Sequence, residues 1–262
     1  MIEILLYLAT GIFAGLASGL LGVGGGLIIV PVLFFIFSAQ NLPAEHIMHM
    51  ALATSLATII VTSISSTRAH HKKHAVLWPV FLLLAPGICL GAWLGGIAAS
   101  AMPTNLLKPA FGIFELFVAI HMLWNRQSRQ HNTSINKIKS AAGGFVIGAI
   151  SALVGIGGGT LTVPFLHWHS IAIRNAIATS AACGLPIAIF GTASYIYTGW
   201  SIDDLPQQTL GYVHLQAFAL IIATSFIFAP VGARLAHQLP EAALKKGFAL
   251  FLILIGLKLT VL

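Results

Sequence analysis

Five glycines fall within "GLLGVGGGLIIVP" at residues 19 to 31, and four more within "ALVGIGGGTLTVP" at residues 152 to 164. Each stretch is otherwise apolar. Glycine weakens a helix by about 1 kcal/mol relative to alanine and reaches positive φ freely, so such clusters break helices. Where a helix restarts after the break, its first N–H groups have no intrahelical partner and carry about half a positive charge. That is an anion site made from bare backbone. Restarts after Gly26 and Gly159 would aim two such ends at one point, with Gly24, Gly25, Gly26, Gly157, Gly158 and Gly159 around the substrate. Thr160, Thr54, Ser55, Thr179 and Ser180 would add hydroxyls. Such a site needs no fixed cation, and neutral dipoles hold an anion weakly enough to release it.

Close helix packing is the competing explanation for glycine in an apolar helix. It suits Gly11, Gly15 and Gly19, spaced by four, where Gly15→Ala is expected to be mild. Three consecutive glycines exceed what one packed face requires. Neither cluster carries the Lys-Ser/Thr of a nucleotide-binding loop.

Glu115, in "FGIFELFVAIHMLW", is the acid placed deepest in an apolar stretch. A carboxyl there is protonated or paired, and is a candidate for proton coupling as well as for a structural hydrogen bond. "RAHHKKH" at 68 to 74 sets histidines among lysines that repel a metal cation, and reads as a solvated loop. "HWH" at 167 to 169 reads as interfacial rings. Cys89 and Cys183 sit in apolar segments as small packing residues. His-Glu-x-x-His and Gly-x-Ser-x-Gly motifs and paired buried carboxylates are absent, which argues against an intramembrane enzyme; no metal or cofactor is implied. A purely structural membrane subunit would leave the glycine clusters unexplained.

The elements that must position these residues follow from composition. The 262 residues are 58% hydrophobic and 7% charged, with a mean hydropathy of +0.95, which excludes a single soluble core and places the chain in the lipid bilayer. The net charge of +7 lies in short loops, which suits the positive-inside rule rather than nucleic acid. The opening "MIEILLYLAT" has no basic n-region and reads as retained structure. Eight apolar segments emerge, at about 4–37, 47–67, 76–100, 105–124, 141–166, 176–198, 212–233 and 244–261. An unbroken helix over the first would be about 51 Å long, far beyond a hydrocarbon core of about 30 Å. Gly22, Gly24, Gly25 and Gly26 mark its break.

The chain also repeats itself. "GLASGLLGVGGGLIIVPVL" (15–33) matches "GAISALVGIGGGTLTVPFL" (148–166) at ten of nineteen positions, aligning Ser18 with Ser151 and Pro31 with Pro164. "ALATSLA" (51–57) answers "AIATSAA" (176–182), and "LKPAF" (107–111) answers "LKKGF" (244–248). The expectation is an all-α polytopic protein of two four-segment repeats, residues 1–133 and 134–262, each with a glycine-broken first segment. The linker "NRQSRQHNTSINKIK" at 125–139 carries four basic residues and no acid, which places it in the cytoplasm. Matched loops reverse in charge: 68–74 is basic where 199–211 holds Asp203 and Asp204, and 38–46 holds Glu45 where 167–175 holds Arg174. Inverted repeats are therefore expected, each broken segment dipping in and returning to the same side so that three spans remain per half.

The paired "GVGGG…P" and "GIGGG…P" motifs, the "ATS" segments and the duplicated layout resemble the sulfite exporter TauE/SafE family of bacterial inner-membrane permeases, over the whole chain. The resemblance implies a multi-pass secondary transporter in the cytoplasmic membrane. Its partner is a small anion, such as sulfite or an organosulfonate, in the direction of export. Neither cargo, direction, coupling ion nor homo-oligomeric state follows from the residues themselves.

Overall fold

The computed structural model describes residues 2–21, 24–123, 137–236 and 241–261. Gly22 and most of the basic linker lie outside them. Among the described residues the chain forms ten helices: α1 (Ile2–Leu21), α2 (Gly26–Ala39), α3 (Ile47–Lys72), α4 (Trp78–Ser100), α5 (Thr104–Leu123), α6 (Lys137–Val154), α7 (Gly159–Trp168), α8 (Ile173–Gly199), α9 (Leu215–Ala236) and α10 (Glu241–Val261). A two-stranded antiparallel ribbon, β1 (Thr209–Leu210) and β2 (Val213–His214), precedes α9. Six of the helices are long and apolar enough to cross a membrane. Phe13, Leu90, Phe117 and Leu254 stand exposed along the outer faces, as lipid contact requires. The protein is an all-α polytopic membrane protein.

The eight apolar segments become ten helices because the first of each half is split at its glycines. The split segment folds back. Near the start of α1, the Tyr7 hydroxyl hydrogen-bonds Gln40, just past the end of α2, and its ring lies 6.4 Å from Phe37. In the other half Gly143, on α6, lies beneath the Phe165 ring of α7. Each pair is therefore a hairpin that returns towards the face it left.

Side-chain contacts fix which helix ends share a face. Thr104 donates to the Glu45 carbonyl at 2.6 Å, and Tyr212 stacks on His49 at 5.0 Å. The loops after α2, α4 and α8 thus share one face, here face I, with the start of α1. On the opposite face II, Asn175 donates to the Ala75 carbonyl at 3.0 Å, joining the loops after α3 and α7. Helix α6 runs parallel to α4, with Gly87 beside Ala141 and Gly95 beside Ala149, so it starts at face II.

Two seams of small residues hold the bundle together. In lipid there is no hydrophobic drive between helices, so close backbone approach supplies the attraction. Gly87, Gly91 and Gly95 line α4 against the α6 backbone, and Gly11 and Gly15 line α1 against α9. Thr224 ties the second seam by donating to the Leu8 carbonyl at 3.0 Å. The expectation of a mild Gly15→Ala is overturned here: a methyl at Gly15 would lie 2.7 Å from the Ser225 carbonyl oxygen and 2.8 Å from its Cα. Backbone cannot yield as a flexible side chain does, so the substitution must part α1 from α9. Helices α3 and α8 pack on each other at the centre, and α3 is buried from Ile47 to Ile59.

On face I, His214 starts α9. Its Nδ1 accepts the Ala217 N–H at 3.2 Å, and its ring packs on Phe37 and Tyr7. Burial pushes the His214 pKa below its ordinary 6.5, against smaller pulls from its own backbone and Glu3. The folded state therefore resists the proton that the unfolded chain accepts. This stabilisation is complete above about pH 6.5 and drains away as pH falls beneath it. Thermal stability in detergent should drop on going from about pH 7.5 to about pH 5.5, and His214→Asn, which keeps a capping acceptor, should flatten that drop.

Candidate functional site

The two glycine turns meet at the centre of the bundle. In the first, Gly24 and Gly25 hold φ of +79° and +78°, a region open to glycine, and Gly25 is the N-cap of α2. In the second, α6 ends at Gly155, φ +69°, with the Ile156 N–H reaching back to the Ser151 carbonyl at 3.0 Å. This is a Schellman stop. Helix α7 then starts at Gly159 with Gly158 as N-cap, and no side chain caps either restart. The first N–H groups of α7 thus face whatever occupies the space before them.

That space is a cavity of about 60 Å³, against about 30 Å³ for one water in the liquid. Gly24 contributes from the first turn and Gly157, Gly158 and Gly159 from the second. Ser18 comes from α1, Ile59, Thr62, Ser63 and Ser66 from α3, and Ser180, Ala181 and Gly184 from α8. Among the described residues no charged side chain lines it. Ile59, Thr62, Ser63 and Ser66 recur at helical spacing, so one face of α3 carries hydroxyls from the turns towards face II. Ser180 donates to the Ile177 carbonyl at 2.8 Å and Thr62 to that of Ile59 at 3.3 Å. Those two hydroxyls must turn their protons to serve an anion. Ser18, Ser63 and Ser66 donate to no described residue.

Of the residues singled out from sequence, the structure brings Gly24, Gly157, Gly158, Gly159 and Ser180 together at this cavity. The others lie elsewhere. Gly25 backs onto Ala14, and Gly26 onto the Gly155 carbonyl and Ile156. Thr54 accepts the His214 N–H and Thr179 the Leu77 N–H, each at 3.0 Å, so the two threonines anchor the entries to α9 and α4. Ser55 donates to the Gly155 carbonyl at 2.8 Å and clamps the second turn. The buried Thr160 hydroxyl has no partner among the described residues and lies outside the lining. Glu115 is fully buried in α5, outside the lining, and neither carboxyl oxygen has a described partner. Its repeat counterpart Leu252 is equally buried in α10.

Sequence reasoning missed Thr62, Ser63, Ser66 and Gly184 and used Ser18 only as an alignment mark. The signal was the 59, 62, 63, 66 spacing, which continues the face that leads from "ATS" on α3. A second, larger groove of about 560 Å³ runs between α6 and α7 on the lipid side, walled by Val146, Ile150, Phe165 and Trp168. It is apolar and offers an anion nothing.

Comparison with known proteins finds membrane transporters along most of the chain. A "Probable membrane transporter protein" of Haemophilus influenzae is 39% identical over 98% of this chain and 97% of its own length. The "Probable membrane transporter protein YunE" of Bacillus subtilis is 29% identical over 72% of this chain and 77% of its own. A third, MJ0441 of Methanocaldococcus jannaschii, is 27% identical over 85% and 82%. No solved structure matches the chain. The family model described as "Sulfite exporter TauE/SafE" matches residues 7–259. With nearly its whole length so matched, the chain belongs to the sulfite exporter TauE/SafE family and is a membrane transporter rather than an enzyme.

Proposed function

We propose that the protein is a secondary exporter of small sulfur-containing oxyanions, such as sulfite or an organosulfonate, across the bacterial cytoplasmic membrane. The observation that carries this reading is the uncharged cavity where both glycine turns and five hydroxyls meet. Helix-end N–H groups and hydroxyls suit a compact oxyanion, and a lining without lysine or arginine among the described residues suits its release. The name of the matched family supplies sulfur as the first chemistry to try. A flux screen of purified protein in liposomes against sulfite, sulfate, thiosulfate, taurine, sulfoacetate and small carboxylates tests it. Movement of sulfite or a sulfonate supports the reading, while selective movement of carboxylates alone would replace the substrate class.

The two halves are read as an inverted duplication. Three observations support this: α1 and α6 start at opposite faces, the first helix of each half packs on the fourth of the other, and Thr54 and Thr179 do equivalent work. Among the described side chains Arg68, Lys72, Lys73, Lys139, Arg174 and Lys246 belong by chain position to face II and Lys108 and Lys258 to face I, whereas Glu3, Glu45, Asp203 and Asp204 belong to face I. Face II is then cytoplasmic, and the cavity, with hydroxyls leading that way, is reached from the cytoplasm. Single cysteines introduced at Lys72 and Asp203 in a cysteine-free background should label from opposite sides of the membrane. Labelling from the same side would mean parallel repeats.

Glu115 is assigned to proton coupling at a distance from the substrate. Glu115→Gln should leave the fold and anion binding intact and remove the pH dependence of flux. An unchanged pH profile would leave Glu115 with a structural part only.

A further inference from the structure

The cavity has an unused twin. The sequence alignment of the halves pairs Ser55 with Ser180, Leu56 with Ala181, Ser18 with Ser151 and Ser66 with Gly191. Thr54 and Thr179, next in the same register, receive equivalent N–H groups at the same distance, so the register holds in three dimensions. On the face II side, Ser18, Ser180 and the small Ala181 border open space. On the face I side the corresponding residues are packed shut. Leu56 is fully buried, and its Cδ1 lies 2.9 Å from where a methyl on Gly191 would be, so its side chain rests on bare Gly191. Ser55 is spent on the Gly155 carbonyl. Ser151 is fully buried, and its hydroxyl has no partner among the described residues.

A buried hydroxyl without a partner carries a cost that a core position does not require, since alanine would fill the place. At Ser151 this leaves a hydroxyl donor without a partner among the described residues, at the place whose counterpart Ser18 borders the cavity. Beyond Leu56 the way to face I is closed again by Tyr195, whose hydroxyl donates to the Ala152 carbonyl, and by Tyr212 and His49 stacked above it.

We propose that Ser151, Ser55 and the Gly24–Gly26 turn form a second oxyanion station facing face I, occluded in this state by the Leu56 side chain. When Leu56 leaves Gly191 and Ser55 releases the Gly155 carbonyl, the anion passes from the Ser18–Ser180 side to the Ser151–Ser55 side across the glycine turns. Leu56 is thus the inner gate, with Tyr195, Tyr212 and His49 above it parting in the same transition, and Ala181 marks the place where the opposite inner gate stands open. This rests on the reading of the protein as a transporter with inverted halves.

The test uses the full chain in vesicles of known orientation, with Cys89 and Cys183 replaced, and a membrane-impermeant thiol reagent. Ser151→Cys should be protected in the parent, and adding Leu56→Ala should raise its labelling from face I about tenfold or more by shifting the open population. The mirror variant, Ala181→Leu, installs a plug at the open cavity and should protect Ser18→Cys from face II. Ala181 borders the cavity, and thermal unfolding in detergent checks that the variant is folded before it is labelled. If Leu56→Ala leaves Ser151→Cys unreactive, or Ala181→Leu leaves Ser18→Cys as reactive as before, the gate assignment is wrong. Labelling needs no anion, so failure of the flux screen would overturn the substrate reading and leave this result standing.

Discussion

Gly157→Ala protein should reach the membrane and unfold at the parent's temperature, yet bind its anion about tenfold more weakly. Among the described residues a methyl at Gly157 meets only Ile59, 3.4 Å from Cγ2 and 4.0 Å from Cδ1, which is ordinary van der Waals contact. Nothing must move to admit it, so stability should stay within about 0.5 kcal/mol. The same methyl stands in a cavity of about 60 Å³ and displaces the anion from the first N–H groups of α7. Losing one to two hydrogen bonds to a charged ligand, at about 1.5 kcal/mol each, corresponds to roughly tenfold or more in affinity. Gly158→Leu makes a poorer probe, because even its Cβ would lie 2.7 Å from the Ser180 carbonyl and 3.0 Å from the Gly184 nitrogen. That variant should lose transport and folding together. Unchanged anion affinity in folded Gly157→Ala protein, measured by calorimetry with sulfite, would move the site away from the turns.

The contrast between Gly157 and Gly158 shows where sequence stops. That the chain breaks at 24–26 and 157–159 was legible, because an apolar run too long for the bilayer must bend and only the glycines permit it. The hairpins followed, since the broken segments had to return for matched loops to reverse in charge. Which hydroxyl meets the cavity was not legible. Thr54, Ser55 and Thr179 look like substrate groups in a one-dimensional string, but each is consumed by a backbone group more than ninety residues away. Such long-range partners leave no local spacing to read. Ser63 and Ser66 were passed over for the converse reason: serine is common in membrane helices, and only the placement of α8 opposite them makes a cavity wall. Gly15→Ala was expected to be mild because Gly15 was read as lying on a packing face. The α9 backbone beside it leaves no room even for a methyl.

The same logic gives the largest stability effect expected in the molecule. Gly91→Leu should prevent assembly, lowering stability by more than about 4 kcal/mol, a range reserved for gross steric or burial faults. Gly247→Leu, the same chemical change on another helix, should be neutral or mildly stabilising. At Gly91 a Cβ would lie 2.8 Å from the Phe145 carbonyl carbon and 2.9 Å from its Cα, so the obstacle is the α6 main chain rather than a rotatable group. Relief requires moving α6 bodily, and Gly87 and Gly95, one turn to either side, hold it against Ala141 and Ala149 in the same way. The seam therefore cannot yield at one point. At Gly247 no atom of the described residues lies within 4 Å of an added Cβ, and leucine gains the roughly 1 kcal/mol by which it exceeds glycine as a helix former. Thermal unfolding in detergent checks both variants. If Gly91→Leu and Gly247→Leu unfold at similar temperatures, the α4–α6 seam is not what joins the halves. Because α6 leads directly into the second glycine turn, parting it from α4 would also displace Gly157 to Gly159, and anion binding should vanish in the same variant that fails to assemble.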